Sequence, residues 1–440
     1  MRGSTIFQTI LLAGSIVAAI LGLIVFAYFG GGSKSAAGGP VVIWGTLYAQ
    51  SFQNVFNTMK STDKSYDSVS YLHRDPATYQ ADIINAIASG NSPDLVLITQ
   101  EDIAPLANKL QVIPYASLSQ STFLTSYIDE GQLFLTPSGA IALPFAVDPM
   151  EMYWNRDMFA TAGISAPPKY WSDLTSIAPL ISKSDASGAI KQSVAPLGLW
   201  DNIDNVKELL SAIFMQAGDT ITAEKNGLLV NAFGKSTANK IGTLPAESAL
   251  RFYTDFANPS KEVYSWSRSM PRSRESFISG TTALYFGFAS EYSYLMSGNP
   301  NIHLGVAMLP QVQGVASVST YGRLYSLAIP RGAVNPAGAI TIAGSITSTA
   351  GARAVIQNAG LLSGRRDIAI DTNASAIQQV AAQSALVARG WIDPSPIATT
   401  AIFKSMVESV VSGAHPPVDA VNFATQAFGR VFIEQQQISR

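Results

Sequence analysis

Few residues in this chain have the type and spacing needed to break or form bonds. Its three histidines, His73, His303 and His415, lie far apart and share no metal-binding interval, so a catalytic zinc site is not indicated. Cysteine is absent, which removes disulfides, thiolate metal sites, a thiol nucleophile and the acylation site of a bacterial lipoprotein. The stretch FGKST, residues 233–237, contains the core of a phosphate loop, but Leu229 stands where the backbone nest requires glycine. There is no G-x-S-x-G nucleophile turn and no G-x-G-x-x-G fingerprint, and DNIDN from Asp201 lacks the alternating oxygens and the glycine of a calcium loop. The acid–base candidates are Asp148, Glu151 and Glu291, carboxylates that could flank a glycosidic bond if folding brought them together. A glycan-degrading enzyme is therefore one reading to carry forward.

The chain is poor in charge, with 13% charged residues, 47% hydrophobic residues and a formal net charge of −2. An average soluble domain is about one quarter charged, so the polar surface here must be mostly neutral. Without runs of like charge there is no electrostatic footprint for nucleic acid or for anionic lipid. At 440 residues the chain exceeds one ordinary core, and the usual ~100–200 residues per domain predicts two or three domain-sized units.

Residues 10–29, ILLAGSIVAAILGLIVFAYF, carry no charge. At ~1.5 Å per residue this run matches the ~30 Å hydrocarbon core of a bilayer, which predicts a transmembrane anchor within residues 1–29. A removable secretory signal cut near Ser35-Ala36-Ala37 is the alternative. GGGSKSAAGG follows as a flexible linker over residues 30–39. The expected location is the plasma membrane, single-pass, with the folded part on the extracytoplasmic side, although Arg2 before the span and Lys34 after it give little positive-inside bias.

Beyond the linker, helical and strand patterns alternate. VVIWG, residues 41–45, reads as a buried strand opening into a loop. Asp75-Pro76 reads as a helix start ahead of the apolar stripe Tyr79, Ile83, Ile84 and Ile87, and LVLI at 95–98 is a second buried strand. TALYFGF, HLGVAMLP and YSLAIP are further strands. Pro245, Pro336, Pro396 and Pro417 each head a helix, the last two covering Ile397 to Ser412 and Val418 to Phe432. This alternation predicts an α/β fold with both sheet faces covered.

In order along the chain, VIWG at 42–45, AIASG then SPDLVL, LPFAVDPMEMYWNRDMFATAGI then PPKYWSDL, FISGTTALYFG, VAMLPQ, SLAIPRGA and AGLLSGRRDI resemble the carbohydrate-binding family of ABC-importer solute-binding proteins that includes maltose-binding protein. The resemblance covers most of the chain from Val41. It implies a two-lobed periplasmic-binding-protein-like fold with hinge crossovers and no catalysis. Lobe one would comprise residues 40–147 plus 313–364, and lobe two 148–312 plus 365–440. The first crossing would then lie at LPFAVD, the second near Met308 to Gln313 and the third near Arg365 to Asp371.

It also implies a saccharide ligand in the interlobe cleft, ABC permease subunits as partners, a monomeric receptor and no cofactor. A pyranose needs an aromatic platform for its apolar face and paired donors and acceptors for its hydroxyl rim. The positions that the resemblance brings to the cleft are Trp44 and Thr46; Thr99, Gln100 and Glu101; Asp148 and Tyr153; Trp200, Asp201 and Asn202; Phe288 and Glu291; Tyr321 and Arg323; and Trp391. Ala289 stands where the family commonly stacks a tryptophan, which argues against maltodextrin specificity. Each residue has a plainer use: Trp44 as core, Asp148 as a turn cap before Pro149, Arg323 as half of an ion pair. Trp154 and Trp171 are expected in the core. Other small solutes remain open, including polyamines and, through Tyr292, Tyr294, Tyr321 and Tyr325, ferric ion.

Overall fold

The computed structural model describes residues 39–438 apart from 62, 226, 237–243, 316, 360 and 369–372. The predicted anchor and nearly all of the linker lie outside the described residues, as does part of the predicted third crossing. Among the described residues no single helix is long and apolar enough to cross a membrane.

Strand β1 (Val41–Gly45) alternates buried and half-buried residues, then passes through a short loop into helix α1 (Ala49–Lys60), which buries Phe52, Val55, Phe56 and Met59. Strand β2 (Val69–His73) follows and leads to helix α2 (Tyr79–Ala88). The helix begins later than Pro76: Asp75 caps a turn instead, accepting the Ala77 N–H at 2.9 Å through Oδ1. Strand β3 (Leu95–Ile98) is buried throughout, and β1 pairs in parallel with both β2 and β3. Parallel strands linked by helices place their carboxyl ends along one edge.

Strand β4 (Leu143–Asn155) joins the two halves of the molecule. It has 13 residues, all buried except the half-buried Trp154, and spans roughly 43 Å at ~3.3 Å per residue. Burial on both faces explains why its sequence is a nearly unbroken apolar run. Its first part, Leu143 to Pro149, is antiparallel to the later strand. Its second part lies between two others. These partners are β5 (Leu284–Phe288), opposite Met150 to Trp154, β6 (Leu304–Met308), opposite Glu151 to Asn155, and β7 (Thr320–Ala328), opposite the first part. The prolines, which donate no ladder hydrogen bond, fall where pairing is irregular. Pro144 sits beside the register shift at Tyr325/Ser326, and Pro149 sits where β4 exchanges partners.

Strand β7 also pairs antiparallel with β3, so the sheet order from one half to the other is β5-β4-β7-β3-β1-β2. The first half has a core on each sheet face, one around Ile43, Phe52, Leu97, Phe145 and Leu327, the other around Ile83, Val96, Val147 and Leu324. The second half is built around Met150, Met152, Phe286, Leu209, Phe214, Trp266 and Phe403. Trp171 packs there too, as expected. Helix α3 (Val206–Gln216) and the final pair, α4 (Pro396–Val411) and α5 (Pro417–Ile438), cover this core, the last helix running beyond Phe432. The result is a bilobed α/β fold of the periplasmic-binding-protein type with a mixed sheet.

Candidate functional site

At the partner exchange in β4, Asp148 stands directly opposite Arg323 of β7 in the antiparallel register. Asp148 is 5% exposed, and its carboxylate accepts the Ser290 N–H at 3.0 Å and the Ser290 hydroxyl at 2.6 Å. Ser290 lies just past the end of β5, so this contact joins the strand that crosses the molecule to the second half. Burial pushes the Asp148 carboxyl up to about 6, against the lowering effect of the Ser290 hydrogen bonds and of the Arg323 charge.

Arg323 faces the same junction. Its guanidinium lies 4.4 Å from the centroid of the Phe288 ring, and Nη2 donates to Oε1 of Glu208 on α3 at 3.0 Å. Phe288 in turn meets Tyr321 edge-on, with centroids 6.4 Å apart. The Tyr321 hydroxyl donates to Glu101 at 3.2 Å and accepts from the Gln100 amide at 3.2 Å. Gln100 also binds the backbone of β7, donating to the Gly322 carbonyl and accepting the Leu324 N–H, which extends the β3–β7 ladder through a side chain.

This chain of contacts brings together Gln100, Glu101, Asp148, Phe288, Tyr321 and Arg323, and adds Ser290 and Glu208. The sequence reading omitted the last two. Ser290 lay two residues past a chosen aromatic and has no distinctive signal of its own. Glu208 sits on the helix after GLWDN, beyond the stretch that drew attention.

Other expected residues serve elsewhere. Tyr153 is fully buried in the small core on the far face of β4 and donates its hydroxyl to the Phe288 carbonyl at 2.7 Å. Trp154, expected inside, is the half-buried member of the strand and packs edge-on against Phe159. Trp154 thus packs against the second half's core as expected, and Tyr153 is buried as well, on the other face of the strand. Trp391 is 4% exposed and donates its indole N–H to Ser211 in the core of the second half. Trp200 rests partly buried on that same core, Asp201 is an exposed partner of Lys404, and Asn202 bonds to the carbonyls of Ser267 and Met270.

Glu291 accepts from Asn205, Arg274, Tyr285 and the Phe288 N–H, which makes it a scaffold centre. Trp44 packs against the first half's core under the Arg74 guanidinium, 3.7 Å from its ring centroid, and Thr46 is half-buried at the end of β1. Thr99 bonds to the Asp102 carboxylate of its own turn. The tyrosines proposed for iron do not share an environment: Tyr294 is 58% exposed, whereas Tyr321 and Tyr325 are buried.

Two further carboxyls are buried near the junction. Among the described residues Glu130 has no hydrogen-bond partner on either oxygen, and a Cβ at Gly322 or Gly390 would lie 2.5 Å from it, so these glycines make its space. Burial raises its carboxyl well above the usual range, and does the same for Glu151. Among the described residues no cluster of three or more His, Cys, Asp or Glu side chains is arranged to hold a metal ion.

Two lobes threaded by shared strands, with polar and aromatic side chains of both meeting at the crossing, define the clamshell class of ligand receptor. The chain belongs to the family described as bacterial extracellular solute-binding protein, which matches residues 59–382. That family consists of receptors rather than catalysts, so the chain is not an enzyme. Among solved structures, a cyclo/maltodextrin-binding protein complexed with maltotetraose shares the fold at a TM-score of 0.72 and 13% identity, covering 90% of this chain and 98% of the other. The cyclic α-maltosyl-1,6-maltose binding protein of Arthrobacter globiformis gives 0.71 and 16%, covering 90% and 99%. The maltose/maltodextrin-binding domain of Bdellovibrio bacteriovorus, bound to maltotriose, gives 0.64 and 14%, covering 91% and 100%. At such identities the likeness establishes the fold alone. No curated relative matches the chain at the sequence level.

Proposed function

We propose that this protein captures a saccharide between its lobes and delivers it to the permease of an ABC importer on the extracytoplasmic face of the membrane, held there by its N-terminal apolar segment. The observation that carries the reading is the junction at β4, where Asp148, Ser290, Glu208, Arg323, Phe288, Tyr321 and Glu101, drawn from both lobes, combine hydrogen-bonding groups with aromatic rings. Carboxylates and a guanidinium suit the hydroxyl rim of a sugar, and the aromatic faces suit its CH surface. The neighbouring solved structures carry maltotetraose, maltotriose, tagatose and mannotriose, which points to the same chemical class.

Ligand contacts to both lobes form only when the lobes approach, so binding energy shifts the hinge equilibrium toward the closed form. With the lobe boundaries proposed from the resemblance, at residues 147/148, 312/313 and 364/365, the Asp148–Ser290 contact would lie beside the first crossing. Calorimetric titration and thermal shift against a panel of neutral sugars, uronic acids, amino sugars and polyamines test the reading. A rise in melting temperature with neutral saccharides is expected. Silence toward every sugar, with a response to a polyamine or to ferric ion, would overturn it.

A further inference from the structure

We propose that Glu130 is a proton-controlled latch behind the junction of the two lobes: with its proton in place the surrounding segments close on it and hold Gln100 and Tyr321 in position, and its ionisation loosens them. The proposal concerns the regulation of the saccharide site described above, and it rests on that reading only for the choice of ligand. Glu130 lies in the short 3-10 turn Asp129–Phe134 and is 2% exposed. Its neighbour Asp129 takes the nearby cations, accepting from Arg366 and, at 2.8 Å, from Arg389. Glu130 turns inward instead, and among the described residues neither of its oxygens has a partner. Gly322 of β7 closes on one oxygen and Gly390 on the other, since a Cβ on either glycine would fall 2.5 Å away. An orphaned carboxyl held between two glycines costs stability that an apolar side chain would not, so its presence calls for a use.

Its surroundings connect that cost to the site. The Gly322 carbonyl accepts from Gln100 Nε2 at 2.7 Å, and the same amide donates to the Tyr321 hydroxyl and would lie 2.9 Å from a Cβ at Gly390. Gly390 follows the short strand Ala388–Arg389, which runs parallel to Thr320 and Tyr321 of β7. It precedes Trp391, whose indole is bonded to Ser211 in the core of the second half. On the proposed boundaries Glu130 and Gly322 belong to lobe one and Gly390 to lobe two. As a neutral acid, Glu130 tolerates this dry contact. As a carboxylate it needs water or a cation, and either reaches it only if one glycine draws back. That movement releases Gln100 and Tyr321 on one side, or the segment leading to Trp391 on the other.

Few charges bear on this carboxyl. Arg389 is the cation that acts on it, and its guanidinium is already engaged by Asp129 and the Ala388 carbonyl. Tyr321 on β7 stays protonated, because burial raises its hydroxyl well above the usual range. The preceding helix, Gln120–Ser126, carries no ionisable side chain, and β4 brings Asp148 and Glu151. Burial raises the Glu130 carboxyl well above its ordinary 4.5 against the opposing charge of Arg389, so the latch is shut in acid and opens as pH rises.

The test compares the wild type with Glu130→Gln and Glu130→Met, neither of which can ionise, in two measurements from pH 5 to pH 9. The first is calorimetric titration with maltotriose and mannotriose. All three proteins should bind alike at pH 5, and wild-type affinity should then fall about fivefold or more relative to both variants by pH 9. Any step due to Asp148 is common to the three and cancels in the comparison. The second measurement, without ligand, is hydrogen exchange at the Leu324 N–H, which Gln100 holds through Oε1. At equal pH the wild type should lose protection there relative to the variants as pH rises. Affinity or exchange profiles that run parallel in wild type and variants would overturn the latch. Failure of both trisaccharides to bind at any pH, with the exchange profiles still diverging, would overturn the saccharide reading and leave the latch standing.

Discussion

Ser290 donates both its backbone N–H and its hydroxyl to the carboxylate of Asp148, at 3.0 and 2.6 Å, at the point where β4 exchanges one half of the molecule for the other. The pair links β4 to the segment after β5 through a carboxyl that burial pushes up to about 6. Its protonation state is therefore coupled to the geometry of the crossing.

That coupling has a definite sign. The folded protein holds the Asp148 proton more tightly than the unfolded chain, whose carboxyl titrates near 3.8. The group's contribution to stability is fully present below about pH 4 and is lost as pH rises through about 6. Asp148→Asn cannot titrate, so wild-type stability should fall relative to the variant by up to about 3 kcal/mol between pH 4 and pH 7. Urea denaturation across that range measures the gap; parallel pH profiles would contradict it.

Arg323 and Glu208 join β7 to α3 while the guanidinium covers the Phe288 ring. Lysine keeps the charge but loses the planar stack and the fixed fork. A double-mutant cycle of Arg323→Lys and Glu208→Gln should give a coupling energy of about 1–2 kcal/mol in stability. Additive effects would mean that the two side chains act independently.

Glu291 is surrounded by donors from Asn205, Arg274, Tyr285 and Phe288, the surroundings of a scaffold residue. Glu291→Ala should cost about 1–3 kcal/mol of folding stability, since it removes the ion-pair partner of the part-buried Arg274 and the acceptor of Asn205 and Tyr285. A variant of normal stability with greatly weakened sugar binding would assign Glu291 to the site instead.

Gly322 lies against Glu130. A Cβ there would fall 2.5 Å from a Glu130 carboxyl oxygen and 2.6 Å from the Ala388 Cβ. Gly322→Ala should therefore destabilise by about 1–3 kcal/mol, with partial rescue by Glu130→Ala, which frees the space. Differential scanning calorimetry of the single and double variants reads this directly, and a lack of rescue would locate the strain at Ala388.

The local elements were legible where periodicity is strong. Helix α2 announced itself by Tyr79, Ile83 and the glycine that follows, although Asp75-Pro76 formed a turn ahead of the helix rather than its first turn. Strand β4 was harder because both of its faces are buried. An alternating strand shows which side chains point inward, whereas a continuous apolar run carries no phase, and this is why the burial of Tyr153 alongside Trp154 was not legible. GLWDN looked like an exposed cluster of ring and polar groups, yet Asn202 is used up by backbone carbonyls from across the fold.

The sequence by itself determined the alternation of strands and helices, the absence of thiol and clustered-histidine chemistry, and the apolar crossing that ends in Asp148, because these depend on residue type and short spacing. Tertiary structure alone decided that Arg323 faces Asp148, that Ser290 and Glu208 complete the junction, and that Glu291 and Trp391 belong to the scaffold. Those facts depend on strand register and on side-chain contacts, several of them between residues more than a hundred positions apart, for which a linear pattern holds no phase and no distance.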